Sequence, residues 1–187
     1  MAIKPLVFDL ATNVGWCVGA PGADPFYGSQ RMASRGPDDV GGFAVNFDTF
    51  AGVLIAKHRP THVGFCATIL PTSRRVNKGG RWIVVAAQFS PATVRKLNGL
   101  AWHAEFLARK FELECFEMYE SQAKKFFVGK GNADKSETIE RCQSYGFDPA
   151  NQDEADAIQA WAFACDQLAP KVPSRFKLGG LGIGAAE

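Results

Sequence analysis

No run of hydrophobic residues in this 187-residue chain approaches the length of a membrane span, and the chain reaches its first apolar segment at Leu6 without a signal-peptide pattern. These absences predict a soluble protein with no membrane partner, working in a cytoplasm. The five cysteines, Cys17, Cys66, Cys115, Cys142 and Cys165, are odd in number, far apart and lack any C-x-x-C pair. Neither a zinc site nor a disulfide framework is signalled, and they read as reduced thiols. No segment repeats. At 47% hydrophobic and 21% charged residues, 187 positions suit one globular domain with a full core rather than two. A large charge of one sign is missing as well, the formal net charge being +2. The basic residues are nevertheless clustered, at Arg74, Arg75, Lys78 and Arg81 and again at Lys124, Lys125, Lys130 and Lys135, as a polyanionic partner would require.

Against this background stands Leu6-Val7-Phe8-Asp9-Leu10-Ala11-Thr12-Asn13-Val14-Gly15-Trp16. Two apolar runs flank a Thr-Asn turn, the pattern of a hairpin with one carboxylate in its first strand. An acid in a buried strand is costly unless it is paired or binds a metal. Asp9 is therefore either a cap on the turn or a ligand. Phe26 to Met32 adds a third short strand and completes an antiparallel meander. From Asp38 or Asp39 to His58, the apolar residues Phe43, Phe47, Phe50 and Leu54 recur at helical spacing until Pro60 stops them, which makes these phenylalanines core. His62 to Ala67 is a strand reached from that helix, hence parallel to the first, with Cys66 at its end.

Thr68 to Pro91 mixes turn formers with Arg74, Arg75, Lys78, Arg81 and Trp82, and reads as a long exposed basic connection. It is either a phosphate-contacting loop with a stacking platform or a plain solvated one. Ser90 or Pro91 opens a helix to about Phe111, with Leu97, Leu100, Ala101, Ala104 and Leu107 on one face and Gly99 pointing to close packing. Leu113 to Tyr119 is a strand, and Gly129 to Lys135 a flexible basic loop. Asp134 with Glu137 forms a capping-box signature for a helix ending at Gly146, and Asn151 with Glu154 repeats it for a last helix stopped by Pro170. Within that helix Asp153 and Asp156, at i and i+3, share a side. They either complement the helix dipole or join Asp9 at a metal. The domain is expected to span residues 1–170, followed by a flexible Gly-rich tail over 171–187.

Three pieces in this order, Phe8 to Trp16, Val128-Gly129-Lys130-Gly131-Asn132-Ala133-Asp134-Lys135, and Asp153-Glu154-Ala155-Asp156-Ala157, resemble the RuvC-type Holliday junction resolvases of the ribonuclease H-like superfamily. The likeness runs from about residue 6 to 168, and Leu97-Asn98-Gly99-Leu100 fits the family's central helix. It implies an α/β fold, a mixed five-stranded sheet of antiparallel meander plus parallel strands, flanked by helices. It also implies a homodimer that binds a four-way DNA junction and nicks two strands symmetrically by two-metal-ion hydrolysis. Carried onto this chain, Asp9, Asp153 and Asp156 become ligands of Mg²⁺, with Mn²⁺ able to substitute, and carboxylates are the right hard ligands for it. Lys124 and Lys135 then contact DNA near the scissile phosphate, and Arg74, Arg75, Lys78, Arg81, Lys125 and Lys130 extend the DNA-binding surface.

One departure bears on catalysis. Where the family has a catalytic glutamate, at the end of the strand after the first helix, this chain has Cys66. A thiol is neutral, soft and a poor Mg²⁺ ligand. Either the chain is disabled, or another acid, Glu154 being nearest by sequence, fills in. A buried cysteine is also an ordinary packing residue. The readings left open are an active junction endonuclease, a junction-binding protein that does not cut, and another nuclease of the superfamily acting on branched DNA or RNA–DNA hybrids. Sugar-kinase and actin-like ATPases also open with an Asp in a first hairpin, but need two such domains and a second phosphate loop, which this length does not accommodate. The compact chain and its divergence outside the motifs point to a phage or prophage origin, and so to the cytoplasm of a bacterial host or phage-infected cell.

Overall fold

The hairpin around Asp9 forms because each of its arms alternates or runs apolar on either side of a polar turn. Its strands are β1, Pro5–Asp9, and β2, Asn13–Val18, antiparallel, with Asp9 opposite Gly15. The computed structural model describes residues 2–33, 35–36, 38–67, 73–86 and 89–176, and of 73–77, 82 and 86 the backbone only. Strand β3, Phe26–Arg31, pairs antiparallel with β2 and completes the meander. Helix α1, Val40–His58, starts where the Asp39 side chain accepts from the Gly42 N–H, and ends at Arg59 in a left-handed conformation (φ 48°). It returns the chain to β4, His62–Cys66, which lies parallel to β1. Later, β7, Glu114–Met118, adds parallel to β4, with Cys66 opposite Met118. The sheet order is β3-β2-β1-β4-β7.

The central strand β1 is buried on both faces, and its alternation sorts the core into two layers. Leu6 and Phe8 join Val63 and Phe65 of β4 beneath α1 and α2, Pro91–Lys110, whose inward residues include Phe43, Phe47, Leu54, Leu100, Ala104 and Leu107. Val7, Cys17, Cys66 and Met118 face the opposite layer. That layer is built of α3, Glu120–Phe127, α4, Lys135–Ser144, and α5, Gln152–Leu168. Helix α4 carries the complete capping box of Asp134 and Glu137. In α5, Asn151 caps Glu154 N–H, but the Glu154 side chain turns elsewhere, so only half of the expected box forms. Trp161 of α5 is fully buried and donates its indole N–H to the Gly19 carbonyl at 3.1 Å.

Four expectations change. Residues 73–86, expected as a loop, hold a separate hairpin of β5, Ser73–Lys78, and β6, Arg81–Ala86. Its two-residue turn is Gly79-Gly80, both at positive φ (61° and 83°), the backbone of a tight hairpin turn that glycine adopts without strain. Gly99 packs against nothing: a Cβ there would meet open space. Helix α1 is, by length and composition alone, apolar enough to cross a membrane, although Phe43, Phe47, Ala51, Leu54 and Ile55 are buried in the core. Finally, the packed chain runs past 170. Phe176 is buried among Phe127, Tyr145, Phe147 and Trp161, so the expected tail is held in place through 176, and 177–187 lie outside the described residues.

Candidate active site

Parallel strands β1 and β4 end side by side at Asp9 and Cys66, and period-two alternation decides which way these point. Asp9 shares the face of Val7, the face covered by α5, and Cys66 belongs to the same layer. The N-terminal end of α5 brings Asp153 and Asp156 to that edge. Gly15, opposite Asp9 in the hairpin, lets it in: a Cβ on Gly15 would run into the carbonyl of Asp153 and lie 3.3 Å from the Ala157 side chain. Acids 144 and 147 residues apart in sequence are thus brought to one edge because one glycine leaves room for a helix to sit on a strand.

The electrostatics record how close they come. Burial first, then the charges of Asp156, Asp153 and Glu120, drive the Asp9 pKa from 3.8 up to about 8, against the pull of Lys124. Asp156 is raised by burial, partly offset by the Gln152 hydrogen bond and Lys124, with Glu120 and Asp153 adding to the rise. Cys66 is pushed well up by burial and by Asp9, Glu120 and Asp156, so it stays a neutral thiol. Burial works against the Lys124 ammonium, but the Glu120 hydrogen bond and the charges of Glu120, Asp156 and Asp9 outweigh it and hold the lysine above its ordinary value.

Three amides, none of them anticipated from the sequence, fix two of the carboxylates. Asn13 donates to Asp153 Oδ2 at 2.5 Å. Gln152 and Gln159 donate to the same Asp156 oxygen, Oδ1, at 2.8 and 3.2 Å. Amide donors orient a carboxylate without cancelling its charge. In doing so the carbonyl oxygens of Gln152 and Gln159 find no partner among the described residues. Asp9 itself takes no hydrogen bond among the described residues. A half-buried, mutually repelling set of hard oxygen donors fits a divalent cation, which would relieve the repulsion that lifts Asp9. Among the described residues, however, no three His, Cys, Asp or Glu side chains converge closely enough to enclose an ion. The acids act on each other's charge without yet surrounding a common point.

This fold has counterparts. No protein-family model matches the chain, and no curated protein matches it in sequence. Among solved structures, RuvC of Thermus thermophilus matches with a TM-score of 0.61 at 14% identity, over 89% of this chain and 96% of that one. T. thermophilus RuvC in complex with a Holliday junction substrate matches with a TM-score of 0.62 at 16% identity, covering 84% and 90%. The yeast mitochondrial Holliday junction resolvase Ydc2 matches with a TM-score of 0.55 at 10% identity, covering 85% and 76%.

The chain has a RuvC-type resolvase fold. On that fold the basic residues expected from the sequence separate into groups. Among the described residues Lys124 alone is drawn in among the acids, paired with Glu120 at 2.5 Å. Lys125 is exposed on α3, and Lys130 is tied to Glu137. Lys135 is exposed at the first position of α4 and, among the described residues, makes no bond to the acids. Lys78 and Arg81 are exposed on either side of the β5–β6 turn, while Arg74 and Arg75 have their backbone in β5 and side chains outside the described set. Glu154, the acid nearest by sequence, is committed to the Ser29 hydroxyl and the Ala150 N–H. Glu120 was missed because its only sequence signal was to be the first acid after the third parallel strand, four residues before Lys124.

Proposed function

We propose that this chain is a structure-selective endodeoxyribonuclease that resolves four-way DNA junctions by metal-assisted phosphodiester hydrolysis, acting as a homodimer. The observation that carries the reading is the meeting of Asp9, Asp153 and Asp156 on one face at the carboxyl ends of β1 and β4, with Lys124 beside them. Asp9, Asp153 and Asp156 would hold Mg²⁺, which when bound lowers the pKa of the attacking water and neutralises charge at the leaving oxygen. Asn13, Gln152 and Gln159 keep two of the carboxylates aimed. Lys124 and Lys135 would supply cations near the scissile phosphate, and the exposed Lys125, Lys78 and Arg81 serve the flanking backbone.

The test pairs a gel shift with a cleavage assay on a synthetic four-way junction and a linear duplex of the same sequence. Preferred binding of the junction is expected, weakening with salt by roughly 0.9 in log–log slope for each phosphate neutralised, with Mg²⁺-dependent nicks placed symmetrically. Equal affinity for the duplex at physiological salt overturns junction recognition. Cys66 favours a second reading, a junction-binding protein that does not cut, and tight junction binding without nicks in Mg²⁺ or Mn²⁺ selects it. Faster cutting of an RNA–DNA hybrid than of the junction would move the protein to another nuclease class.

A further inference from the structure

We infer that Glu120 is the carboxylate that completes the acid site in place of Cys66; the inference rests on the nuclease reading above and names the residue that reading lacks. The register places it. Cys66, at the end of β4, lies opposite Met118, at the end of β7. Two residues past Met118 the chain has left the sheet at the same edge and turned into α3, with Glu120 at its first position. From there its charge reaches Asp9 of β1, Cys66 of β4 and Asp156 of α5, one residue from each wall of the site. Its side chain stands at the mouth, 51% exposed, with Oε1 2.5 Å from Lys124 Nζ.

The other acids nearby are excluded by where they point or what they hold. Glu154 accepts from Ser29 and Ala150. Glu117, one residue before Met118, alternates to the other face of the sheet, beside Phe65. Among the described residues Glu120 is held by one ion pair, at i,i+4 to the more buried Lys124, and at its own half-exposed end that attachment is weakened by water. It can therefore leave Lys124 at small cost and turn inward on its two-methylene stem, which returns the count of negative oxygen ligands to four: Asp9, Asp153, Asp156 and Glu120. The same movement frees the Lys124 ammonium for a phosphate. In this arrangement the neutral thiol of Cys66 is a wall of the site and not a gap in its charge.

The test is a Mn²⁺ titration without DNA, followed by calorimetry, on the natural chain, Glu120→Gln, Cys66→Glu and the double variant, with junction affinity and cleavage measured in parallel. Because Glu120 is exposed, Glu120→Gln is expected to fold with an unchanged melting temperature in EDTA. It should weaken Mn²⁺ binding by about tenfold or more and slow cleavage, with junction affinity undiminished. Adding Cys66→Glu to Glu120→Gln should restore Mn²⁺ affinity toward that of the natural chain. Equal Mn²⁺ affinity in the natural chain and Glu120→Gln overturns the inference. So does a loss that Cys66→Glu fails to restore, since a residue that merely tethers Lys124 would behave that way. A chain that loses Mn²⁺ on Glu120→Gln and regains it with Cys66→Glu, yet never cuts a junction, overturns the nuclease reading and leaves Glu120 in the site.

Discussion

Replacing Asp9 by asparagine should make the metal-free protein more stable at neutral pH, contrary to the usual effect of changing a residue in the interior. Burial, with Asp156, Asp153 and Glu120 against it and only Lys124 in its favour, puts the folded Asp9 pKa at about 8, where the unfolded chain has the ordinary 3.8. The neutral thiol of Cys66 on the neighbouring strand adds no charge. Folding therefore takes up a proton between these two values, and the stability present below about pH 4 is lost as pH rises toward about 8. At pH 7 the unfolded carboxyl is fully ionised and the folded one mostly protonated. At about 1.36 kcal/mol for each pH unit above 3.8, this site costs about 4 kcal/mol, an upper figure. Asp9→Asn removes that penalty, which for a chain of this length raises Tm by up to about 16 °C. Thermal unfolding in EDTA from about pH 4 to about pH 8.5 should show two curves that meet at the acid end and separate as pH rises, the variant above. Millimolar Mg²⁺ should then close the gap from the other side, by stabilising the natural chain alone. Parallel pH profiles, or a variant less stable at every pH, would refute the argument that unrelieved burial and like charge strain Asp9.

Two further substitutions probe the scaffold and the basic surface. Gly15→Ala places a methyl where the Asp153 carbonyl sits, and should destabilise the fold by about 1–3 kcal/mol while weakening Mn²⁺ binding, because α5 must lift away from β2; an unchanged melting curve would show that this approach is not needed. Lys135→Ala, tested in a form that cleaves, should lower the single-turnover rate by at least about tenfold with junction affinity nearly unchanged, as for a cation that matters most when charge develops in the transition state. An unchanged rate removes Lys135 from the site.

The sequence by itself determined the local elements, because their causes are local. The first hairpin follows from two apolar runs around Thr12-Asn13, α1 from its phenylalanine spacing and the Asp39 cap, and α4 from the Asp134–Glu137 box. It also marked Asp9, Asp153 and Asp156 as candidates, since a carboxylate in an apolar strand and paired acids in a first helical turn are visible one segment at a time. The β5–β6 hairpin was legible in Gly79-Gly80 but masked by charge, since a hairpin outside the main core needs no apolar alternation. Only the tertiary structure decided the rest. That the acids meet depends on Gly15 yielding space to a helix that begins 137 residues later. That Asn13 aims Asp153, that Glu154 is spent on Ser29, and that Phe176 closes the α5 layer are contacts between distant segments, which no spacing encodes. Glu120 belongs with them. Its place beside Cys66 follows from the parallel register of β4 and β7, set by the packing of the sheet between two helical layers and not by any pattern within either strand.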